Sequence, residues 1–173
     1  MIISLETLAE KINLTPGFCK NLSESAVACM DSQTHQSGVL MKVTTQGESF
    51  NTTIIWTTDI TDSMLRTFRD AARTTDDGAM CLSLFLALNL TEYADFETSV
   101  TGTGIDFWLS RAGELNFSAR LEISGIRKES ESNTVEKRLA TKKSQTKQSD
   151  KTQLPAYISI VEFSQPKALF IKK

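Results

Sequence analysis

Histidine is nearly absent from this 173-residue chain: His35 is the only one. A Ser-His or Cys-His catalytic pair would have to be built on it. Its neighbours Thr34, Gln36, Ser37 and Gly38 suggest a helix end instead. The three cysteines, Cys19, Cys29 and Cys81, are odd in number and lack Cys-x-x-Cys spacing. That argues against a disulfide framework and a zinc ribbon, and a reducing, cytoplasmic setting fits. Long apolar runs are missing too. The most apolar stretch, residues 79–90, is shorter than the roughly 20 residues needed to cross a bilayer, so no membrane role is expected. The start, Met1-Ile2-Ile3-Ser4-Leu5-Glu6, has no basic segment or long apolar stretch of a signal peptide. Phosphate-binding loops are absent, and Gly102-x-Gly104 lacks the third glycine and following helix of a dinucleotide fingerprint.

What is present describes an ordinary globular chain, with 40% hydrophobic and 23% charged residues. The net charge of −2 conceals an asymmetry. Residues 1–126 carry 8 Lys/Arg against 16 Asp/Glu, whereas residues 127–173 carry 11 against 5. The basic segment 127–151 can meet an anionic partner such as DNA. It can equally complement the acidic remainder of the same protein, a protein partner or a second copy.

Residue periodicity predicts one α+β domain over 1–173: a mixed central sheet flanked by helices, with N-terminal helices and a hairpin over 1–58. Leu5, Leu8, Ala9 and Ile12 suit a helix over 3–13 ended by Thr15-Pro16-Gly17, and a second helix is expected from 23 to about 33. Residues 39–45 and 49–57 flank Gln46-Gly47 as a hairpin. Asp59 or Thr61 can cap a helix carrying Met64, Leu65, Phe68 and Ala72, interrupted at residues 74–78. Residues 79–90 then form a central helix, apolar nearly all round. Strands follow at 93–100, 104–109 and 119–124. A polar helix, or a partly disordered segment, occupies 130–152, and strands close the chain at 157–163 and 168–171.

The most informative stretch is Gly102-Thr103-Gly104-Ile105-Asp106-Phe107-Trp108-Leu109, followed by Ala119-Arg120-Leu121-Glu122-Ile123-Ser124. Strand side chains alternate, so Ile105, Phe107 and Leu109 share one face and Asp106 and Trp108 the other. On the second strand Arg120, Glu122 and Ser124 lie opposite Leu121 and Ile123. A suitable register sets Asp106 beside Glu122, and two converging carboxylates can hold a hard cation, magnesium or manganese. The competing reading is a solvated sheet face whose acids and Arg120 pair across strands.

The order helix, strand, strand with Asp, strand with Glu-x-Ser, helix, strand resembles the PD-(D/E)XK nuclease superfamily. The resemblance spans residues 59–165. It implies magnesium ligands at Asp106 and Glu122, DNA as partner, and phosphodiester hydrolysis in restriction, repair or phage defence. Ser124 stands where that family usually carries Lys. The missing charge is then expected from Arg120 on the same face, or from Lys137, Lys142 or Lys143 on the following helix. Glu92 or Glu97 is a candidate to complete the coordination. Without a replacement cation the alternative is a non-catalytic protein-interaction subunit of a larger complex.

Overall fold

Ile2 to Ser4 opens the chain as a strand, β1, in a computed structural model that describes residues 1–173. The expected helix over 3–13 is thus corrected. A 3-10 turn (Leu5–Thr7) and one turn of helix, α1 (Leu8–Lys11), are all that remains of it. The reason lies far away in sequence: Ile2, Ile3 and Ser4 pair in parallel with Thr53, Ile54 and Ile55. Thr15-Pro16 starts a helix rather than ending one. Proline at the first turn has no N–H to lose, and α2 runs Pro16–Ser32.

The hairpin forms as expected, with β2 (Val39–Thr44) antiparallel to β3 (Ser49–Ile55). Thr61 caps α3 (Asp62–Thr67) by accepting the Met64 N–H. The break in the next helical stretch falls at Phe68–Asp70, not at residues 74–78. Asp70 accepts the Ala72 and Arg73 N–H groups, so α4 starts at Ala71 and continues unbroken to Leu90. A side-chain oxygen there satisfies donors that the helix start leaves bare. The expected central helix is the buried second half of α4, where Leu82, Leu84 and Leu86 are fully buried.

The rest of the chain is β4 (Asp95–Thr98), β5 (Phe107–Ser110), β6 (Ala119–Ile126), α5 (Val135–Gln145), a 3-10 turn (Thr146–Thr152), β7 (Ala156–Glu162) and β8 (Lys167–Lys172). All eight strands join one mixed sheet in the order β1-β3-β2-β8-β7-β6-β5-β4, and the fold is α+β. The segment 130–152 folds as helix and 3-10 turn. No helix is long and apolar enough to cross a membrane.

Two cores flank this sheet. The larger packs α2 and α4 on one face, joining Leu22, Ala26 and Met30 to Leu82, Phe107, Leu121 and Phe163. Gly125 permits this approach: a Cβ there would lie 2.4 Å from the Thr75 carbonyl oxygen of α4. On the other face α5 covers a small cluster of Ile126, Val135, Ile158 and Ile160. No helix covers that face over β1, β3 and β2, where Ile2 and Leu40 are 69% and 60% exposed.

Candidate functional site

Register decides the site. Phe107 stands opposite Leu121 and Trp108 opposite Arg120. Asp106, just before β5, donates its N–H to the Leu121 carbonyl and so comes to lie beside Glu122. The expected shared face of Asp106, Glu122, Arg120 and Ser124 is therefore formed, and α5 lies across it. Gly104 fixes the approach. Its φ is +72°, and a Cβ would sit 2.2 Å from the Gln145 carbonyl oxygen at the end of α5. Only glycine tolerates both conditions.

Asp106 Oδ2 accepts the Ile123 N–H at 2.7 Å. Glu122 is 1% exposed, and its Oε1 accepts from the Lys142 ammonium. Its other oxygen, Oε2, is buried without a partner. Burial pushes the Glu122 carboxyl up to about 7; the Asp106 charge adds to the rise and Lys142 opposes it. Asp106 is raised as well, again by burial first, with the Ile123 N–H and Lys142 pulling the other way. Two carboxyls this close do not both ionise freely. Either a shared proton or a cation satisfies the Oε2 atom.

Ser124 is buried and accepts from Arg138 Nη1 at 3.3 Å, while Arg138 Nε donates to Asn133 at 2.7 Å. A guanidinium thus stands at the position where Ser124 lacks charge. The other expected cations are placed differently. Arg120 is 4% exposed, and its guanidinium donates to the Leu154 carbonyl, the Ser149 hydroxyl and Asp150. It ties down the turn after α5 and has no donor aimed at the carboxylates. Lys137 is exposed and donates to the Glu131 carbonyl, away from Glu122.

The signal for Lys142 was present in the sequence. It lies seven residues after Val135 and three after Leu139, on the stripe that faces the sheet. Lys137, two residues past Val135, points the opposite way. Arg138 escaped because its partner, Ser124, is distant in the chain. Neither candidate third acid joins the pair. Glu92 pairs with Arg111 at 2.6 Å, and Glu97 is exposed on β4. No group of three or more His, Cys, Asp or Glu side chains comes together anywhere in the chain.

No family model, curated protein or solved structure matches this chain.

The donors present suit magnesium or manganese. Magnesium takes one or two carboxylates and completes its octahedron with water and substrate oxygens. The unpartnered Glu122 Oε2 beside Asp106 is an oxygen such an ion would satisfy. His35, the one histidine, plays no part: its Nε2 lies 2.9 Å from the Phe163 carbonyl. Asp106 also lines a cleft of about 400 Å³ between the loop that leads into β5, α4 and the end of α5. Exposed Lys143, Lys147 and Lys151 follow along α5 and its 3-10 turn.

Proposed function

We propose that this chain is a PD-(D/E)XK-like domain that binds DNA and hydrolyses its phosphodiester bonds with magnesium or manganese. One observation carries the reading: Asp106, Glu122 and Lys142 meet on one face from three successive elements. Bound magnesium supplies Lewis-acid polarisation of a phosphoryl oxygen and a more acidic water. Asp106 and Glu122 hold the ion where they otherwise share a proton. Lys142 supplies the positive charge that position 124 lacks, and Arg138 keeps the Ser124 hydroxyl in place. The exposed lysines of α5 and its 3-10 turn meet the phosphate backbone. The three thiols are free and buried, which suits a cytoplasmic role in restriction, repair or phage defence.

Incubating single-stranded DNA and, separately, plasmid DNA with the protein and magnesium tests this reading. Cleavage is expected in the unaltered chain and absent in Asp106→Ala. Lys142→Met should lose at least about a hundredfold in rate, the usual scale for one electrostatic contact to the transition state. Metal-dependent cleavage that survives Asp106→Ala would overturn the assignment.

A second reading rests on the closure of the Glu122 carboxylate and on the open face bearing Ile2 and Leu40. It makes the chain a non-catalytic subunit that docks a protein partner on that face. Absence of cleavage in both magnesium and manganese favours it.

A further inference from the structure

The cleft beside Asp106 has a chemistry that the metal site alone does not require. Its apolar wall includes Phe18 and Met80, both half-buried and packed on the main core. Its only charged lining groups are carboxylates, Asp77 and Asp106. Asp77 is already engaged, accepting from Asn21 at 3.1 Å and facing Arg73 at 3.9 Å. Gln145 closes one side and carries a free-standing amide, which makes no side-chain hydrogen bond within the chain. Away from Asp106, where a bound cation would meet the scissile phosphate, the cleft offers no positive group to a phosphate. At about 400 Å³ the cleft is within the range that ordinary small-ligand sites occupy. The cations stand outside it, at exposed Lys143 and Lys147 on either side of Gln145 in sequence.

We infer that the substrate enters this cleft as an unpaired base, so that the domain acts on single-stranded or frayed DNA rather than on closed duplex. The inference rests on the nuclease reading above and specifies its substrate. A base is uncharged, has an apolar face for Phe18 and Met80, and offers edge groups to the Gln145 amide. Its flanking phosphates remain outside the apolar part of the cleft. Paired and stacked bases of a duplex cannot make these contacts without being extruded. Stacking on an aromatic side chain is tolerant of sequence, so no base preference is expected.

Fluorescence anisotropy in calcium, with labelled oligonucleotides, tests this. Three probes are compared: a thymidine single strand, its blunt duplex with the complementary strand, and a single strand of abasic deoxyribose phosphates. The unaltered protein should bind the thymidine strand about fivefold or more tighter than either other probe. Phe18→Ala should lose about fivefold in affinity for that strand and leave duplex binding unchanged. The abasic comparison needs no variant, so it decides the matter even if Phe18→Ala misfolds. Equal affinity for the abasic and thymidine strands, or tighter binding to the duplex, overturns the inference. Plasmid cleavage without base-dependent binding keeps the nuclease reading and removes this one. Base-dependent binding without cleavage does the reverse.

Discussion

Replacing Glu122 by Gln flattens the pH dependence of folding stability. In the folded chain, burial and the neighbouring Asp106 charge lift the Glu122 carboxyl from 4.5 to about 7. Between those values the folded state binds a proton that the unfolded chain has released. Stability therefore falls as pH rises through this window, and it is greatest below it. Each unit of displacement corresponds to about 1.4 kcal/mol, so the difference between pH 5 and pH 8 is about 2–3 kcal/mol. Asp106 is raised by the same burial and faces the same proton, so the effect belongs to the pair. Glutamine keeps the shape of the side chain and removes the titration. The Lys142 side chain, 16% exposed, can turn its ammonium to solvent. Urea unfolding of both proteins at pH 5, 6, 7 and 8, read by far-ultraviolet circular dichroism, checks this. Carboxyls other than Asp106 keep the same surroundings in both proteins, so their contributions cancel in the comparison. Parallel stability profiles for Glu122→Gln and the unaltered chain would refute the reasoning.

Further outcomes follow from the same contacts. Millimolar magnesium at pH 8 should raise the thermal midpoint of the unaltered chain beyond a sodium chloride control, because it binds only the folded pair. Asp106→Asn should lose that rise; an equal rise in both proteins counts against a cation between Asp106 and Glu122. Arg120→Met strands the Leu154 carbonyl and takes a donor from the Ser149 hydroxyl inside the turn after α5. It should cost about 3 kcal/mol in urea unfolding, and a loss below about 1 kcal/mol contradicts the structural role assigned to this arginine. Gly125→Ala drives a methyl against the Thr75 carbonyl and should cost about 1–3 kcal/mol. Gly47→Ala, which meets open space, is the control, and similar losses in both would show that the α4–β6 contact is not the cause.

Much of the frame was legible because it is written in local pattern. Alternation placed the hairpin, β6 and β7 within a residue or two of where they fold, and it put Asp106, Arg120, Glu122 and Ser124 on one face. The errors came where a distant partner outweighed local preference. Helical spacing over residues 3–13 lost to pairing of Ile2–Ser4 with β3. Thr74 to Gly78 read as a break, yet Asp70 supplied the cap and packing on α2 and β6 kept α4 continuous.

For the site, the sequence by itself determined the residue types, their alternation and the absence of Lys at position 124. It also held the stripe Val135, Leu139, Lys142 that turns Lys142 towards the sheet. Only tertiary structure decided which cation meets Glu122, that Arg120 is consumed by the turn after α5, and that Arg138 stands at Ser124. These choices depend on where α5 crosses the sheet. That crossing is set by contacts such as Gly104 against Gln145, between segments 41 residues apart in the chain. Period and propensity describe one element at a time, and a contact between two elements is not a property of either alone.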